Sequence, residues 1–108
     1  MFSTVSSIKA INQRNGNHFF DRATMRFFNS KVIPKVYGGR IFLTSEQFVP
    51  SSGIPEPRKY TVRLARDSGD IETIGLFNEL AREDAQQLAR LLAPYANDIA
   101  AEFEKEDY

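Results

Sequence analysis

The sequence predicts an α+β fold: a three-stranded antiparallel β-meander packed against a long C-terminal α-helix, with two short N-terminal helices. Three observations predict it. Over residues 58–66, Tyr60, Val62 and Leu64 alternate with Lys59, Thr61, Arg63 and Ala65, the period of a strand with one face buried. Asp67-Ser68-Gly69 then has the chemistry of a three-residue hairpin loop whose glycine is left-handed. Finally, Leu80, Ala81, Ala85, Leu88, Leu91 and Leu92 make an apolar stripe at helical spacing across 79–93.

The elements follow in order. Residues 4–15 read as a short helix capped by Ser3 or Thr4, with Val5, Ile8 and Ile11 or Asn12 on its apolar face and Gly16 at its end. Phe2 precedes the cap and is placed to pack back on the first turn. Asp21 is a candidate cap for a second helix over about 22–29, with Met25 and Phe28 on one face. Pro34 makes 31–35 extended or irregular, and Tyr37-Gly38-Gly39 is a turn. Strands follow over about 40–48, 58–66 and 70–77. The three prolines and the glycine of 50–57 make that connection an exposed loop unable to join a ladder.

In the hairpin, a three-residue loop sets Arg66 opposite Asp70, Val62 opposite Ile74 and Tyr60 opposite Leu76; a one-residue slip would set Val62 against Gly75. Asn78 is a candidate cap for the last helix. Pro94 either kinks that helix or starts another, and Tyr95, Ile99 and Phe103 continue at i, i+4, i+8. The expected core is Phe27 or Phe28, Ile41, Leu43, Tyr60, Val62, Leu64, Ile74, Leu76, Leu88 and Leu92. One domain spans 1–108, with about 104–108 frayed.

Composition narrows the chemistry. The chain has no cysteine and one histidine, His18, so thiolate ligands, disulfides and cysteine nucleophiles are excluded. No serine lies in a nucleophile-elbow motif, and Gly38-Gly39 precedes a strand, which is the wrong setting for a phosphate loop. The carboxylates of Glu102, Glu104, Glu106 and Asp107 lack an ordered cation loop and read as a solvated helix end. The expectation is a non-enzymatic protein with no cofactor and no metal. No run reaches the length of a membrane span and the N-terminus lacks a signal-peptide pattern, so the expected setting is a cytoplasm.

Net charge is zero, but it is sorted by position. Residues 1–66 carry eleven Lys/Arg against three acids, and residues 67–108 carry eleven acids against Arg82, Arg90 and Lys105. If Ile41, Leu43, Tyr60, Val62 and Leu64 face the helix, then Arg40, Phe42, Thr44, Lys59, Thr61 and Arg63 face outward, joined by Thr73 and Phe77. Cations among aromatic rings suit single-stranded nucleic acid, because the cations neutralise phosphates while the rings stack on bases. The competing expectation is that the Phe- and Met-rich N-terminal helices cover this face and make Phe42 and Phe77 core. The basic patch is likewise either open or paired with the chain's own acidic final helix.

Asn12-Gln13-Arg14-Asn15-Gly16, Phe19-Phe20, Thr24-Met25-Arg26-Phe27-Phe28, Leu43-Thr44-Ser45-Glu46-Gln47-Phe48, Arg58-Lys59-Tyr60-Thr61-Val62-Arg63 and Gly69-Asp70-Ile71-Glu72-Thr73-Ile74-Gly75 carry a resemblance across about residues 11–80. The chain resembles a family of small uncharacterised proteins of bacteriophages and other mobile genetic elements, a domain of unknown function. The resemblance assigns no residue a role. It implies a phage or plasmid accessory protein in a bacterial host cytoplasm.

The leading expectation is nucleic-acid binding through Arg22, Arg26, Lys35, Arg40, Phe42, Lys59 and Arg63. The first alternative is a protein–protein factor, such as an inhibitor of a host or defence complex, acting through Glu79, Glu83, Asp84, Asp98 and Glu102 on a basic partner. The second is a structural or assembly component that self-associates through exposed aromatics. Oligomeric state is left open.

Overall fold

The computed structural model describes residues 1–21, 26–27, 35–47, 49–74 and 80–106. Its elements are α1 (Val5–Arg14), β1 (Arg26–Phe27), β2 (Ile41–Glu46), β3 (Lys59–Ala65), β4 (Ile71–Thr73), α2 (Arg82–Leu92), a 3-10 turn (Ala93–Tyr95) and α3 (Ala96–Glu106). All strand pairs are antiparallel, in the order β1-β2-β3-β4. The expected meander is β2-β3-β4.

The second N-terminal helix is corrected at Arg26–Phe27, which is a strand, pairing with Glu46 and Ser45 at the edge of the sheet. A run as short as Met25-Arg26-Phe27-Phe28 fits either period, and an edge partner for β2 decides it. The Asp21 carboxylate meets His18 Nδ1 at 2.8 Å, and residues 22–25, which it is expected to cap, lie outside the described residues. Thr4 does cap α1, its Oγ1 accepting from the Ser7 N–H at 3.1 Å.

The β3–β4 hairpin has the predicted register. Ala65 lies opposite Ile71 and Arg63 opposite Thr73, while the Arg66 N–H donates to the Asp70 carbonyl at 2.9 Å and the Ile74 N–H to Val62 at 3.1 Å. Gly69 has φ +90°, and a Cβ there would sit 2.9 Å from Ile11 Cγ2 and 3.0 Å from the Asn12 backbone. Gly69→Ala is therefore expected to destabilise the fold by about 1–2 kcal/mol, read as a lower urea midpoint.

The pairing of Tyr60 is a second correction. Its N–H and C=O both bond to Leu80, at 2.8 and 3.0 Å, so Leu80 takes the place expected for Leu76. That bridge keeps the chain extended up to Ala81, so α2 starts at Arg82 rather than 79 and has no side-chain cap. Asn78, Leu76 and Phe77 lie outside the described residues. At Pro94 the helix passes through the 3-10 turn and resumes as α3, which a proline in the first turn permits because its missing N–H has no bond to lose.

The sheet is covered on both faces. Ile41, Leu43, Val62, Leu64 and Ile74 pack against Ala85, Ala89, Ala96 and Ala100 of the C-terminal helices, with Tyr60, Leu88, Leu92, Ile99 and Phe103 at the margin. Four alanines on the helix face let its backbone lie close to the sheet. At the helix elbow, a Cβ on Gly38 (φ +62°) would fall 2.2 Å from the Ala93 carbonyl oxygen, so only glycine fits. On the opposite face, Phe42 and Ala65 pack with Val5 and Ile8 of α1 and with Phe2, Phe19, Phe20, Val36 and Ile71.

Candidate interaction surface

On the cation-and-ring face of the sheet, Phe42 and Arg63 are interior. Phe42 is fully buried, its ring stacked on Phe20 at 6.1 Å between centroids, and Phe20 meets Phe19 edge-on at 5.0 Å. The reason is the supply of apolar side chains from α1 and residues 19–20, which lowers its free energy by covering this face. Of the two expectations for this face, the covered one holds for Phe42, which is corrected as a stacking ring; Phe77 lies outside the described residues.

Arg63 lies within the same layer. Its Nη2 meets Glu46 Oε1 at 2.6 Å, its Nε donates to Thr44 Oγ1 at 3.2 Å, its Nη1 donates to Thr73 Oγ1, and its guanidinium carbon lies 5.2 Å from the Phe19 ring centroid. Thr61 completes the network by donating to Glu46 Oε2 at 2.7 Å. A charge this deep keeps its ionised form only with such partners.

Two further arginines are clasped near the hairpin. Arg40 Nη2 meets Asp67 at 2.8 Å, Nε donates to Asn97 Oδ1 at 2.8 Å, and Nη1 donates to the Ala65 carbonyl at 3.2 Å. Arg66 makes a two-pronged contact with Glu104, Nε to Oε1 and Nη2 to Oε2 both at 2.8 Å, and reaches Glu72 at 3.3 Å. The acidic helix thus neutralises part of the basic half within the molecule.

Lys35 is exposed with its Nζ 5.0 Å from the Tyr37 ring, and Lys59 is exposed at the start of β3. Arg26 sits on β1 in register with Glu46, its side chain outside the described residues, as is Arg22 altogether. Among the described residues no three His, Asp or Glu side chains group as a metal site would need.

The helix pair presents a different surface. Glu83, Asp84, Asp98 and Glu102 are all exposed, with Glu102 3.1 Å from Lys105; Glu79 lies outside the described residues. Between Asp84 and Asp98 the helix carries two large apolar side chains in water: Leu91 is 62% exposed and Tyr95 58%. The expected core takes Leu88 and Leu92 from this helix, while Leu91 belongs to the apolar stripe read over 79–93 and Tyr95 to its continuation. A helical wheel at 100° per residue places them on the side away from Ala85, Ala89 and Ala96, and that was the available signal: the leucine stripe is wider than one sheet face can cover.

A model of a family of unknown function, DUF7447, matches residues 4–90. No curated protein and no solved structure matches the chain. The match spans α1 and the whole sheet and ends in α2, ahead of Tyr95 and α3.

Proposed function

Because the chain belongs to the DUF7447 family, whose function is unknown, we propose a role from its own surface: a small non-enzymatic protein-interaction domain that docks through the outer face of its C-terminal helices. One observation carries this reading. Leu91 and Tyr95 stand exposed on a helix whose opposite face is already the core, with Asp84 before them and Asp98 and Glu102 after. An apolar centre with an aromatic ring and a charged rim is the composition of a docking patch. The partner it fits is a protein surface with apolar side chains flanked by Lys and Arg. Nucleic-acid binding has less support, since Phe42, Arg40 and Arg63 are held inside the fold.

The mobile-element setting and the bacterial cytoplasm rest on the resemblance of residues 11–80 and are part of this proposal. No helix among the described residues is long and apolar enough to cross a membrane.

The test uses the purified chain as bait, with Leu91→Ala/Tyr95→Ala beside the wild type. Stability is expected to change by under about 0.5 kcal/mol, because both side chains are largely in water. Partner affinity is expected to fall at least about tenfold. Retention of the same partners at the same affinity refutes the reading. A labelled oligonucleotide titrated at low salt supplies the contrast: salt-sensitive binding that survives the double substitution would favour nucleic acid.

A further inference from the structure

Among the described residues, five large apolar side chains stand out as exposed, and four of them fall two to a segment. Leu91 and Tyr95 are one pair. Val49 and Ile54, 49% and 72% exposed, are the other, on the β2–β3 loop. Residues 51–59 of that loop are exposed throughout, yet it is held at its base: the Gly53 N–H donates to Pro50 at 2.9 Å and Gln47 Nε2 to the Glu56 carbonyl at 3.1 Å. Pro50, Pro55 and Pro57 restrict the backbone further, which lowers the entropy lost on docking.

The two pairs lie at opposite ends of the sheet. The helix elbow carrying Leu91 and Tyr95 touches the turn before β2, where Gly38 meets Ala93. The loop follows the far end of β2, about 20 Å away along a six-residue strand. The two ends also differ in charge. The elbow segment 82–102 carries Glu83, Asp84, Asp98 and Glu102 against Arg82 and Arg90, a net negative balance, whereas the loop runs into Arg58 and Lys59, with Glu56 the one acid between Val49 and Lys59.

We infer that the partner of the elbow is the loop of a second copy of this chain, giving head-to-tail self-association. This rests on the reading of the helix face as the docking surface and names its occupant. Each end presents a small apolar pair, and the flanking charges are opposite, so unlike ends attract while elbow-to-elbow contact sets acids against acids. Because the two surfaces differ, a joined pair keeps one free elbow on one copy and one free loop on the other. Such contacts continue into short chains or close into a ring. The paired side chains are few, so the contact belongs with the weak interfaces, populated at high protein concentration.

Sedimentation velocity across a concentration series tests this, with Leu91→Asp and Ile54→Asp variants. Wild-type protein is expected to gain mass with concentration and to lose it with added salt. Each variant alone is expected to stay monomeric to at least about tenfold higher concentration. Mixed in equal amounts, the variants are expected to form dimers and nothing larger, because the intact loop of one meets the intact elbow of the other. Both substitutions fall on exposed side chains, and an unchanged urea midpoint checks that they fold. A wild type monomeric throughout, a variant that associates as the wild type does, or a mixture that stays monomeric overturns the inference. Loss of lysate partners by Leu91→Ala/Tyr95→Ala in a protein that is always monomeric would overturn self-association and leave the helix-face reading standing.

Discussion

Replacing Phe42 with alanine is expected to lower stability by about 3–5 kcal/mol, the range for removing a fully buried aromatic side chain. Phe42 has no exposed surface and lies between α1 and the sheet, stacked on Phe20. Truncation would leave a cavity bounded by Val5, Ile8 and Ala65, whose positions are fixed by a helix and a strand and therefore cannot collapse far. Urea unfolding measures it. A ring that served as a base-stacking platform would behave oppositely: removal would leave the urea midpoint almost unchanged and act on ligand affinity alone. An unchanged midpoint for Phe42→Ala would return the outward face of the sheet to the list of binding surfaces.

Arg63→Ala is expected to cost about 2–4 kcal/mol, toward the lower part of the range for breaking a buried pair because the Glu46 side chain retains 29% exposure. The loss is mainly the cost of what remains: a carboxylate in the α1-covered layer without its cation, and the Thr44 and Thr73 hydroxyls without a guanidinium partner. Replacing both ends, as Arg63→Leu with Glu46→Leu, is expected to recover a good part of that loss, since neither charge is then stranded. A double-mutant cycle reads the coupling. Additive losses would show that the two side chains act independently and that the network is not the reason for burying Arg63.

Much of the fold was legible because local and global signals agree. The alternation of Tyr60, Val62 and Leu64, with Gly69 in the loop, fixes both the buried face and the register, and Val62 duly meets Ile74. The N-terminal region was harder because Arg26–Phe27 owes its strand form to pairing with Ser45 and Glu46, a long-range event invisible in a short apolar run. The start of α2 was displaced for a similar reason, the Tyr60–Leu80 bridge. Charge was the least legible property. The sorting of cations and acids along the chain is real, but Arg40 and Arg66 reach across the fold to Asp67, Asn97, Glu72 and Glu104, and sequence distance does not show which charges meet. Leu91 and Tyr95 fit the helical stripe by spacing yet lie outside the core, because the sheet's width determines how much of that stripe is covered.

The central claim is that the working surface is the outer face of the C-terminal helices and not the cationic half of the chain. A photo-activatable phenylalanine analogue placed at position 91, and in separate preparations at positions 9 and 35, tests it most directly in cells that make the protein. All three sites are exposed, so the probe itself perturbs none of them. Cross-linked protein adducts from position 91, with none from positions 9 and 35, are the predicted result. Adducts to nucleic acid or protein from positions 9 and 35, with position 91 silent, would contradict it.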